Sequence, residues 1–62
     1  MKFLIGDIVQ HKTTCKVGVV MEAINKGSRY GWHYKIQWIH NQKITTPSQS
    51  ILSFVRTTNN VK

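Results

Sequence analysis

From Trp32 to Ile39 the chain alternates without a break. Trp32, Tyr34, Ile36 and Trp38 fall on one face of an extended backbone, and His33, Lys35, Gln37 and Ile39 fall on the other. That period of two is the pattern of a half-buried strand, and a helix would scatter those aromatic rings around its whole circumference. A lone strand buries nothing, so the rest of the chain must supply partners for it. Nothing else in the sequence offers a helix to pack on it. No window of about 11 residues or more carries apolar residues at i, i+3, i+4 and i+7, and capping boxes are absent. The chain is therefore all-β.

The remaining strands follow from the turn residues between them. Asp7–His11 is the first, entered through Gly6, and the polar stretch Lys12-Thr13-Thr14-Cys15 reads as a loop. Lys16–Ile24 is the second strand, and Gly18 inside it predicts a bulge or tight bend. Asn25–Gly31 is a second loop, and Trp32–Ile39 is the third strand. His40-Asn41 suits a tight hairpin turn, because Asn tolerates positive φ. Gln42–Thr46 returns as the fourth strand, and Pro47, which has no N–H to give a ladder, ends it. Pro47–Ser50 suits one 3₁₀ turn, and Ile51–Val55 is the fifth strand. The alternation places Tyr34, Ile36 and Trp38 in the core with Val9, Val20, Ile44 and Ile51. Residues 1–56 then form one domain, and 57–62 form a polar tail.

Several short segments resemble those of SH3-like small β-barrels. Gly6-Asp7-Ile8-Val9 is similar to the Gly-Asp-x-Val entry strand of KOW and related barrels. Lys16-Val17-Gly18-Val19-Val20 is similar to their second strand, Tyr34–Trp38 to their third, and Pro47–Ile51 to the 3₁₀ turn before their last. His11 stands where many of these barrels have a further valine, and Tyr30, Trp32 and Tyr34 lack the spacing of a Tudor-type aromatic cage. The resemblance covers residues 6–55 and implies a five-stranded SH3-like barrel with one 3₁₀ turn before the last strand. Small basic barrels of this length also look like bacteriophage accessory proteins. The fold hosts RNA binders, DNA binders, chromatin readers and peptide binders, so it cannot by itself choose a function.

Charge narrows the choice. In 62 residues, nine lysines and arginines face two acids, Asp7 and Glu22, for a formal net charge of +7. A compact fold gains nothing from such self-repulsion, so the excess speaks to partners, and a polyanion is the first suspect. Lys12 and Lys16 flank the first loop, and Lys26 and Arg29 sit in the second. His33 and Lys35 lie on the outward face of the third strand, with Lys43 across the hairpin. Beside Tyr30 and Trp32 these form the expected nucleic-acid-binding set, with cations on phosphates and rings on bases. Trp32, at the start of its strand beside Gly31, is expected to be partly exposed.

Routes to catalysis are few. Asp7, in the Gly-Asp entry turn, is expected to accept backbone N–H bonds, and Glu22 to pair with a lysine across the sheet. Cys15 is the only cysteine, which rules out an intramolecular disulfide and suits a reducing compartment. His11, Cys15, His33 and His40 lack the close pairs of structural zinc sites. The expectation is a non-catalytic module without cofactor or metal that binds DNA or RNA. The alternative is a phage-type interaction or virion structural protein docking an acidic protein surface. The opening Met1-Lys2-Phe3-Leu4-Ile5 falls short of a signal peptide, because Gly6-Asp7 breaks its apolar run. No segment approaches the about 18 apolar residues of a membrane span. This reads as a soluble cytoplasmic protein, in host cytoplasm or virion if phage-encoded.

Overall fold

A computed structural model describes residues 2–57. The strands are β1 (Asp7–His11), β2 (Val17–Asn25), β3 (Trp32–Trp38), β4 (Ile44–Thr45) and β5 (Leu52–Thr57). A one-turn helix, α1 (Gly27–Tyr30), and a 3₁₀ turn, η1 (Gln49–Ile51), complete the elements. All ladders are antiparallel, in the order β4-β3-β2-β1-β5. This is the all-β, SH3-like arrangement, but the sheet is not closed. Among the described residues no ladder joins β4 to β5, because β4 pairs over only Ile36↔Thr45 and Gln37↔Ile44 before Pro47. Past Pro47 the chain still follows β3: the Pro47 carbonyl accepts from the Tyr34 N–H, and Ser48 bridges His33.

Two irregularities curve the sheet. Register shifts between Val20 and Glu22 in β2, and opposite Ile8 and Val9 where β5 pairs β1. The extra residues are Met21 and Val55, both exposed. Gly18, the expected bulge, is regular instead. Its role is close approach, since a Cβ there would strike Ile36 Cγ2.

The core is Phe3, Val9, Val20, Tyr34, Ile36, Trp38 and Leu52, with Ala23, Trp32 and Ile51 packed against it. Ile44 is not in it. It is 51% exposed, because it pairs with Gln37 on the outer face while its neighbour Thr45 takes the inner one. There Thr45 Oγ1 accepts from Trp38 Nε1 at 2.7 Å. Phe3 enters from outside the strands, and its ring meets Tyr34 edge-on at 5.2 Å. The Tyr34 hydroxyl fixes that segment: it accepts from Lys2 N at 2.8 Å and Phe3 N at 3.2 Å, and donates to Gln49 Oε1 at 2.6 Å.

Other boundaries moved slightly. The second loop carries α1, and the hairpin turn places its positive φ at Gln42 (60°) rather than at Asn41. Asn41 serves instead through its side chain, which accepts from Lys43 N. The 3₁₀ turn begins at Gln49, after Ser48. Arg56 and Thr57 belong to β5, and the rest of the expected tail, 58–62, lies outside the described residues. Among the described residues no helix is long and apolar enough to cross a membrane.

Candidate nucleic-acid interface

The first loop is tied internally. His11 Nδ1 accepts from Thr13 N at 3.1 Å and Thr14 N at 3.2 Å, and the Cys15 N–H reaches the His11 carbonyl. Cys15 takes a left-handed φ of 62°, which lets the chain turn back so that His11 N meets the Lys16 carbonyl at 2.8 Å. A loop held this way projects Lys12 and Lys16 into solvent at its two ends, where both are exposed.

The second loop is equally constrained. Asn25 Oδ1 accepts from Gly27 N, and Gly31 N closes α1 on the Gly27 carbonyl at 2.7 Å. Gly31 needs its hydrogen side chain for its φ of 72°, not for room, since nothing lies within 4 Å of where a Cβ would sit. The helix buries none of its residues. It holds Tyr30 out at 66% exposure with the Arg29 guanidinium 6.0 Å from the ring centre.

These loops meet the N-terminal segment and η1 around a groove of about 390 Å³. Lys2, Lys12, Tyr30, Trp32, Gln49 and Ser50 line it. Trp32 is half-buried: it rests on the core and leaves part of its ring to the groove, as expected from its place beside Gly31. A second groove, of about 490 Å³, opens on the other side of the first loop. It is lined by His11, Lys16, Trp38, His40, Thr46 and Pro47.

The structure thus divides the expected set. Lys12, Tyr30 and Trp32 come together, with Arg29 against Tyr30 and Lys26 exposed one residue before α1. Lys16 faces the second groove. Lys35 is opposite Glu22 on the outer face, with Nζ 3.8 Å from Oε1. His33 is half-buried on that same face, and Lys43 is exposed in the β3–β4 turn; neither lines a groove. Lys2, Gln49 and Ser50 were not expected. They reach the site because Tyr34 pulls Lys2 and Gln49 onto one hydroxyl, a convergence that no local motif signals.

Each acid has a partner within the molecule. Asp7 is buried and accepts from Leu4 N at 2.9 Å, and Glu22 makes the one ion pair among the described residues. The free charge is therefore positive, and among the described residues no carboxylate lines the first groove. No group of three or more His, Cys, Asp or Glu side chains gathers where it could hold a metal ion, among the described residues. No protein-family model, curated protein or solved structure matches this chain.

Proposed function

We propose that this protein is a non-catalytic nucleic-acid-binding module, an accessory protein acting in the cytoplasm. The observation that carries the reading is the groove in which Lys2 and Lys12 stand beside Tyr30 and Trp32. Ammonium groups suit phosphates, and an exposed ring suits a base. The resemblance of Gly6–Val9 and Lys16–Val20 to KOW-type barrels agrees with it, as does a net charge whose two opposing acids are both engaged.

The test is binding across a salt series. With Lys2, Lys12, Lys26 and Arg29 each neutralising one phosphate, the log–log salt slope is about −2.8 for a single strand and −3.6 for a duplex. A slope near zero, or no binding at low salt, refutes the reading.

One observation favours a second reading, docking on a protein partner, for which the net charge would suit an acidic surface. Among the described residues, the edge strand β5 has no ladder on its outer side, and it exposes Phe54 and Val55, as strands that accept a partner do. A stoichiometric protein that co-purifies and survives high salt would decide for it.

A further inference from the structure

The two grooves have walls in common. His11 lines one and Lys12 the other; Pro47 lines one and Ser48 the other. The last residue of β1 with the first of the following loop, and consecutive residues of the 45–50 segment, therefore form a ridge with a groove on each side. Building on the nucleic-acid reading above, we infer that both grooves serve one ligand: a single unpaired strand that crosses this ridge.

Three features point to a single strand rather than a duplex. Grooves of about 390 and 490 Å³ are the size of small-molecule pockets and take one flat base each. Readers of duplex grooves insert a helix or a β-ribbon; the only α-helix among the described residues is the single turn Gly27–Tyr30, and the β2–β3 ribbon carries one lysine, Lys35, already paired with Glu22. Third, the ring offered for contact is exposed on its own: Tyr30, with Arg29 alongside, presents a π-face that bases inside a duplex cannot reach.

The track has a defined order. A base stacks on Tyr30 above the Trp32 edge, with Lys2 and Lys12 on the flanking phosphates. The backbone crosses between Lys12 and Lys16, the two ends of the internally tied loop. A following base enters the second groove against Pro47 and the rim of Trp38, where His11, His40 and Thr46 offer polar contacts. Contacts of this kind tolerate any base, so sequence preference is weak.

The two tryptophans make the inference measurable, because Trp32 lines one groove and Trp38 the other. Oligothymidylates and oligouridylates of increasing length are titrated while intrinsic fluorescence is followed, with a duplex of matched length as the comparison. Affinity should rise with length until both grooves are spanned and then level off, and the duplex should bind more weakly. Tyr30→Ala should weaken all lengths, by about 5- to 150-fold for loss of one stacked base. His40→Ala should weaken only oligonucleotides long enough to reach the second groove. Both side chains are exposed, so these variants keep the fold. Equal or tighter binding of duplex, or Tyr30→Ala affinities within twofold of the parent, would overturn the single-strand track while leaving nucleic-acid binding intact. A His40→Ala effect that is absent or independent of length would remove the second groove from it. Failure to bind any of these nucleic acids at low salt would overturn the proposed function itself.

Discussion

Tyr34→Phe removes a single oxygen from the centre of the molecule. That oxygen is fully used: it accepts from Lys2 N and Phe3 N and donates to Gln49 Oε1. Lys2 N keeps a second acceptor, Gln49 Oε1 at 3.2 Å, so neither of those groups is stranded. The Phe3 N–H is different, because its bond to the hydroxyl is buried and, among the described residues, no other acceptor takes it. A buried donor left unmet costs about 1–3 kcal/mol. The aromatic ring stays, so the edge-on contact with Phe3 and the packing around it are preserved and no cavity opens. The expected loss is about 2 kcal/mol, which in a domain of this size lowers Tm by roughly 8–16 °C. Thermal unfolding followed by circular dichroism measures it, and amide exchange at Phe3 should quicken along with it. A Tm within about 2 °C of the parent would refute the view that this hydroxyl holds the N-terminal segment.

Other substitutions test separate parts of the fold. Gly18→Ala places a methyl on Ile36 Cγ2 and near the Gln37 carbonyl and Trp38, and overpacking of this kind costs about 1–3 kcal/mol; an unchanged urea midpoint would contradict the close approach. Glu22→Gln should move stability by less than about 0.5 kcal/mol, because the pair with Lys35 is exposed on both sides; chemical denaturation is precise enough to see a larger effect. Gln42→Gly should raise Tm by a few degrees, since a non-glycine residue at φ 60° carries strain that glycine lacks; a lower Tm would count against strain at that turn.

The strands were legible where local chemistry and tertiary position agree. β1 begins and ends where Gly6-Asp7 and the polar loop put it, and the alternation of β3 sorts its buried and outward residues correctly. Asp7 and Glu22 also found the partners their positions suggested. Ile44 was misplaced because alternation alone does not fix register: a shift of one residue turns every side chain to the other face, and β4 has only two residues to set it. The bulge at Met21 left no mark because bulges of this kind need no glycine, while the glycine that is present answers a steric demand from the next strand. Phe3 and Leu52 looked unremarkable in short apolar runs. The candidate groove was half legible: Lys12, Tyr30 and Trp32 could be named from charge and aromatic character. Lys2 lies far in the chain from Gln49 and Ser50, and is brought to them by the Tyr34 hydroxyl and by its own bond to Gln49.

The pairing of β1 with β5 has a consequence for how such a unit can be joined to others. Asp7 lies directly opposite Thr57, so the described sheet begins and ends at one corner. Phe3 packs in the core ahead of that corner, so a host that carries the whole sheet as an insert must join before Lys2 and not at Asp7. The Tyr34 clasp on Lys2 and Phe3 sets the direction of the incoming segment, so a fusion joined there meets the molecule at its basic groove. New ends cut at the exposed His40–Asn41 turn would instead leave that groove clear, and retention of the parent's far-UV spectrum in such a permutant is the measure of whether the corner closes as the ladder indicates.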